Sequence, residues 1–219
     1  MFRNIPNPAE IRKIDFSMLE DPEKITRFQK RYYVLIKRLL DFLAAMISIV
    51  VLLPFMLLIM LLIRLDSKGP AIFSHVRAGE NGRPFRLYKF RTMQSGVGAQ
   101  EFAPTAKHDP RVTRVGRFLR RTSLDELPQL WNVLKGEMSM VGPRPEMEFI
   151  VKRYTPMQRC RLLVKPGLTG LWQVAGRKDL PLHENAEYDY YYILHSSALL
   201  DLQIILRTII VVFSGKGAY

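Results

Sequence analysis

The chain has 219 residues, 48% of them hydrophobic, a formal net charge of +13 and a pI near 10.0. That length allows one domain with a buried core, and the single Cys160 excludes an internal disulfide framework and suits a reducing compartment. So basic a chain points to anionic partners: nucleic acid, an anionic membrane surface or phosphorylated substrates.

Residues 1–30 read as a polar lead-in with Asn7-Pro8 and Asp21-Pro22 turn signals, a short helix at most, and no signal-peptide pattern. Residues 31–66 are expected to form a re-entrant membrane helix. Its stretch 42–63 carries no charged residue, and as a helix it would be about 33 Å long, enough for a hydrocarbon core of about 30 Å. Pro54 falls inside it and removes a backbone hydrogen bond. Both flanks are basic, with Lys30, Arg31, Lys37 and Arg38 before and Arg64 and Lys68 after. Positive flanks favour the cytoplasmic side, so a helix bent at Pro54 that enters and leaves by one face is expected over a simple span.

Residues 67–219 are expected to be the catalytic part. Strands over 71–76 and 85–90 flank the turn-forming Gly79-Glu80-Asn81-Gly82 and predict a hairpin. A loop comes next over 94–110, then a basic helix over 115–121 and a second beginning near Ser123. Pro143 and Pro145 require extended backbone over 141–145. The stretch 147–163 reads as helical, and 166–170 reads as a turn. In 199–213, Leu202, Ile205, Ile209 and Val212 recur at helical spacing. That helix is too short to span, and suits either the membrane interface or the core.

Chemistry concentrates in one place. Arg111, Arg114, Arg117, Arg120 and Arg121 precede Asp125-Glu126. Ser123 and Glu126 have the spacing of a capping box, in which case the acids serve only the helix terminus. In the other reading, a carboxylate at a helix start among guanidinium groups sits where phosphate oxygens are welcome. An aspartate there can attack phosphorus. A diphosphate substrate then needs cationic clamps, for which Lys89, Arg120, Arg144 and Arg177 are candidates, and a hard divalent ion such as Mg2+, to which Glu126 could supply oxygen. The four histidines, 75, 108, 183 and 195, form no metal-spaced pair. Walker A, Rossmann and nucleophile-elbow patterns are missing. Nucleic acid is not an expected partner, since charge alone would support it.

Several runs resemble the bacterial sugar transferase family, the monotopic polyprenyl-phosphate phosphoglycosyl transferases. They are Lys89-Phe90-Arg91-Thr92-Met93, then Gly116-Arg117-Phe118-Leu119-Arg120-Arg121-Thr122-Ser123-Leu124-Asp125-Glu126-Leu127-Pro128-Gln129-Leu130, then Met140-Val141-Gly142-Pro143-Arg144-Pro145. The likeness continues through Lys165-Pro166-Gly167-Leu168-Thr169-Gly170 and Gly176-Arg177 and ends at Leu200-Asp201-Leu202. It covers the chain from about residue 31 onward, and the chain is similar to the family's short form, without the spanning helices of its large members.

The resemblance implies an α+β, predominantly helical fold: a re-entrant membrane helix broken at a proline, a small β-hairpin, and interfacial amphipathic helices around a cytoplasmic active site at the bacterial inner membrane. It implies that Asp125 attacks the β-phosphorus of a UDP-sugar, expelling UMP and holding the sugar phosphate covalently until undecaprenyl phosphate takes it. Glu126, with Asp125, would hold Mg2+; Arg120, Arg144 and Arg177 would hold phosphates or nucleotide, with Lys89 as a further member. Membrane lipids are expected partners, and self-association into a homo-oligomer is left open. The family's membrane helix breaks at a Ser-Pro pair, whereas here Leu53-Pro54 keeps the proline and loses the serine. The segment 171–177 looks most like members that transfer galactose or glucose 1-phosphate to begin exopolysaccharide units.

Overall fold

A computed structural model of the chain describes residues 8–11, 13, 14, 16, 31–96, 109–175 and 186–214. It is mostly helical, with two small two-stranded sheets. After the short helix α1 (Pro8–Ile11), the long helix α2 (Arg31–Asp66) has 36 residues with Pro54 inside it. At 1.5 Å per residue it extends for about 54 Å, well beyond a bilayer core. Its apolar residues lie mostly in the open: Val50 and Val51 are 68% and 69% exposed. A buried core helix would not show this, and so bare an apolar surface fits a membrane-associated chain.

One stripe of α2 does pack inward. Ala45, Ile49 and Leu52 meet Phe85, Leu87, Leu130 and Val133, while Ile59 and Ile63 meet Ala71, Phe90 and Leu119. Polar contacts fix its two ends to the same body. Arg38 donates to the carbonyls of Val133 and Leu134 at 2.6 and 2.7 Å, and Asp41 Oδ1 accepts from the Met140 amide at 3.0 Å. At the far end Asp66 Oδ2 accepts from the Val115 amide at 2.9 Å.

Strands β1 (Ile72–Ala78) and β2 (Pro84–Phe90) pair antiparallel, Phe73 opposite Lys89. The turn between them places Asn81 at φ 55° and Gly82 at φ 73°, left-handed backbone that Asn and Gly tolerate. Helix α3 (Arg114–Thr122) comes next, its N-terminus capped by the Thr113 hydroxyl on the Gly116 amide. Gly116 is required there: a Cβ would lie 2.7 Å from the Thr92 carbonyl carbon.

The expected capping box at Ser123 does not form. Ser123 itself takes left-handed φ 57°, ψ 15° as the C-cap of α3, so its side chain makes no N-cap bond. The chain then winds into a 3-10 helix (Leu124–Gln129) containing Pro128, and only after it does α4 (Leu130–Lys135) begin. The stretch 147–163 is broken into α5 (Glu148–Val151), α6 (Pro156–Arg159) and a 3-10 turn (Cys160–Leu163). Thr155 and Gln158 form a true capping box that starts α6 afresh. Residues 166–170 are more than a turn, because β4 (Gly167–Thr169) pairs in parallel with β3 (Ser139–Val141). The last described elements are α7 (Leu171–Ala175), α8 (Glu187–His195) and α9 (Ala198–Ser214).

Candidate active site

Lys89 arrives by strand alternation. Phe85, Leu87 and Lys89 share one face of β2; the first two are buried in the core, and Lys89, next in the row, reaches the acids. Asn132 of α4 holds the strand in place from its fully buried position, accepting from the Tyr88 amide at 3.1 Å and donating to the Arg86 carbonyl at 2.7 Å. Lys89 Nζ then lies 2.7 Å from Glu126 Oε1 and 3.9 Å from Asp125 Oδ2. Arg144 approaches from the segment after β3, its Nη2 3.0 Å from the same Glu126 oxygen.

Asp125 lines a cavity of about 400 Å3 with Lys89, Arg77, Arg91, Arg120 and His75. Arg120 is steered into it by donating from Nε to the Thr92 hydroxyl at 2.9 Å. Burial raises the Asp125 carboxyl above its ordinary range; Lys89, Arg120 and Arg144 pull it down, Glu126 pushes it up, and burial wins. Two of its guanidinium groups are disfavoured too. Burial and the neighbouring Arg144 press Arg77 down to about 10, and burial lowers Arg120. Burial followed by Arg77, Lys89 and Arg144 holds His75 at about 3, so its imidazole stays neutral and accepts from Arg77 Nε at 2.6 Å. A cavity whose cations are this crowded favours an anionic ligand.

The structure therefore brings together Asp125, Glu126, Lys89, Arg120 and Arg144, while Arg177 lies outside the described residues. No group of three His, Cys, Asp or Glu converges among the described residues. Two adjacent carboxylates still fit Mg2+, an ion commonly held by one or two carboxylates with phosphate and water completing its shell.

Sequence reading missed the supports. Arg161 Nε lies 2.6 Å from Asp189 Oδ2, both side chains almost wholly buried, and its Nη2 donates to the Arg144 carbonyl at 3.1 Å. It also donates to the Tyr154 hydroxyl. Asp201 takes Lys37 Nζ at 2.6 Å, the Tyr33 hydroxyl at 2.9 Å and the Tyr192 hydroxyl at 2.7 Å, tying α2 and α8 to α9. For Asp201 the signal is an acid inside an apolar helical run, within the Leu200-Asp201-Leu202 motif.

A family profile described as bacterial sugar transferase matches residues 32–215, and the chain belongs to that family. It is 41% identical over 201 residues to a UDP-galactose-lipid carrier transferase of Erwinia amylovora, covering 84% of this chain and 42% of that protein. It is also 41% identical over 191 residues to a UDP-glucose:undecaprenyl-phosphate glucose-1-phosphate transferase of Klebsiella pneumoniae, with 84% and 41% covered. The chain thus spans less than half of those two relatives. With the exopolysaccharide production protein ExoY of Sinorhizobium fredii the identity is 40% over 198 residues, covering 84% of this chain and 88% of that one.

Proposed function

We propose that this chain transfers a sugar 1-phosphate from a UDP-sugar to undecaprenyl phosphate at the cytoplasmic face of the bacterial inner membrane, releasing UMP. The observation that carries this reading is Asp125, buried beside Glu126 in a cation-lined cavity of about 400 Å3. An anionic diphosphate suits that lining, and the names of the relatives supply the donor and acceptor classes. Galactose and glucose both occur in those names, which supports a hexose donor.

Chemically, an ionised Asp125 oxygen forms a bond to the β-phosphorus of the donor. The bond from that phosphorus to the bridging oxygen breaks, and UMP departs with the electron pair. The resulting acyl phosphate holds the sugar until an oxygen of the lipid phosphate attacks the same phosphorus and Asp125 leaves as carboxylate. Lys89 and Arg120 hold the equatorial charge, and Arg144 keeps Glu126 in place. Mg2+ held by Asp125 and Glu126 would neutralise diphosphate charge.

The membrane reading is that α2 dips in and returns. Contacts at residues 38, 41, 63 and 66 tie both ends of the helix to one body, which supports both ends lying on one side of the bilayer. Pro54 denies the Val50 carbonyl its helical donor, which makes the middle the weakest point for bending.

The test is UMP release by membranes carrying the protein, given Mg2+, undecaprenyl phosphate and a panel of UDP-sugars. UMP formation with at least one UDP-hexose is expected; none with any donor rejects the function. Trapping labelled sugar phosphate on the protein without lipid acceptor separates the covalent route from direct attack by the lipid.

A further inference from the structure

The end of α2 and the start of α3 enclose a polar cavity of about 570 Å3 that the active site does not use. Three exposed cations line it, Lys68, Arg114 and Arg117, and among the described residues none of them meets a carboxylate. Elsewhere the fold matches such groups: Lys37, Lys89, Arg144 and Arg161 each have an acid within 3.0 Å. Asp66 also lines the cavity, but its Oδ2 already accepts from the Val115 amide at 2.9 Å. The Gly116 amide is likewise taken, by the Thr113 hydroxyl at 3.0 Å. What the cavity offers a ligand is therefore side-chain charge, not a helix terminus.

We propose that this cavity seats the phosphate of an anionic phospholipid of the phosphatidylglycerol kind, with the acyl chains lying along the apolar surface beside it. The inference rests on α2 lying in the bilayer and is independent of the transferase chemistry. Its first support is position. Asp66 fastens α3 to the last turn of α2, directly after Leu62 and Leu65, which are 43% and 75% exposed. With that bare surface in hydrocarbon, cations one turn past it lie at the depth of lipid headgroups. The second is the outer face of α3. Arg114, Arg117, Phe118 and Arg121 are spaced three and four apart and share that face, while Leu119 packs inward against Ile59 and Ile63. Phe118 is 53% exposed, and an apolar ring among arginines suits a bilayer interface. The third is a wall. Gln94 and Ser95 line both this cavity and the one holding Asp125. Ser95 is held there by Arg91 Nη1 at 3.1 Å and by donating to the Lys68 carbonyl at 2.7 Å. A phosphate seated behind that wall is cut off from the acids, which assigns it to a bulk lipid and not to an acceptor that must reach Asp125.

The full-length protein, taken from nanodiscs of phosphatidylcholine and phosphatidylglycerol in equal amounts, is expected to retain phosphatidylglycerol in preference when examined by native mass spectrometry. Arg114→Gln with Arg117→Gln should reduce that preference about thirtyfold, the effect of two cations near a bilayer surface. Lys152→Gln with Arg153→Gln removes the same charge from an exposed turn elsewhere and should leave the preference unchanged. No preference in the wild type, or an equal loss in both double variants, overturns the proposal. Undecaprenyl phosphate that displaces phosphatidylglycerol mole for mole would assign the cavity to the acceptor and overturns it as well. A second measurement needs no variant. Phosphatidylglycerol bearing a diazirine in its headgroup, photolysed with the wild-type protein in nanodiscs, is expected to label residues 66–68 or 110–117, and to do so less in about 0.5 M salt. Label spread evenly over the chain, or confined to residues 42–63, overturns the proposal. Absence of UMP release with every donor would sink the transferase reading alone, since neither lipid measurement depends on turnover.

Discussion

Arg144 binds Glu126 through a 3.0 Å ion pair while its own backbone carbonyl accepts from Arg161 at 3.1 Å. Arg161 is in turn held by Asp189, with the two side chains 3% and 2% exposed. A buried charge pair between Asp189 of α8 and Arg161 of the 3-10 turn Cys160–Leu163 thus fixes the backbone that aims a cation at the acidic pair, through residues far apart in sequence. Removing one partner leaves the other charge buried and unpaired, which costs about 3–5 kcal/mol. Asp189→Ala is expected to lower the unfolding free energy by that amount, seen as a lower urea midpoint. The Asp189→Ala, Arg161→Met double variant should be less destabilised than the sum of the two single changes, and a double-mutant cycle in urea unfolding measures the difference.

Asp125→Asn separates stability from chemistry. The Asp125 carboxyl is raised in the fold, chiefly by burial. The folded protein then favours the protonated acid, and an ionised Asp125 destabilises it at pH values above its unfolded pKa. A neutral amide of the same shape removes that penalty. Thermal unfolding at neutral pH should therefore move upward, by about 2–4 °C for each kcal/mol relieved, while UMP release is abolished. Normal turnover in this variant would reject Asp125 as nucleophile.

The same shift fixes the direction of the pH dependence. Attack requires ionised Asp125, so kcat/KM falls as pH drops through its raised pKa, placing the acid limb above the ordinary aspartate value of about 3.9. The negative charge of Glu126 is one of the raising causes. Glu126→Gln is therefore expected to move the acid limb to lower pH even as it reduces the maximal rate. A limb that stays in place or moves upward would contradict the coupling, and a kcat/KM profile from pH 4 to 9 in both proteins reads it.

What could be read ahead of the structure was local. The hairpin followed from alternation and the Asn81-Gly82 turn, and the helix expected over 115–121 appears as Arg114–Thr122. Local pattern misled at Ser123, because the spacing of a capping box does not reveal that the serine already closes the preceding helix in left-handed backbone. It failed wherever the partner was distant. Gly167 reads as part of a turn and Gly142 as part of an extended stretch, yet each is glycine because β3 and β4 bring their backbones together, and a Cβ on Gly142 would lie 2.9 Å from the Gly167 nitrogen. Lys89 could be suspected but not placed, since its position depends on Asn132 clasping β2 from another helix. The grouping of Lys89, Arg120 and Arg144 on one acidic pair is a tertiary fact, invisible to spacing.

Topology offers the last test. Asp201 on α9 holds Lys37 and Tyr33 near the start of α2, while Asp66 at its end caps α3. If both ends of α2 belong to one polar body, they must share one side of the membrane. Cysteine-accessibility or fusion tags placed before Arg31 and after Tyr219 should both report the cytoplasm; an extracytoplasmic tag before Arg31 would exclude the dipping helix. Pro54→Leu restores the missing donor to Val50 and favours a straighter helix. It is expected to send a fraction of the N-terminal tags across the membrane. Asp201→Asn, combined with it, should enlarge that fraction by removing the ionic hold on Lys37 while leaving the shape of α9 intact. An unchanged distribution in the double variant would mean that the contacts of Arg38 and Asp41 suffice to hold the first half of α2.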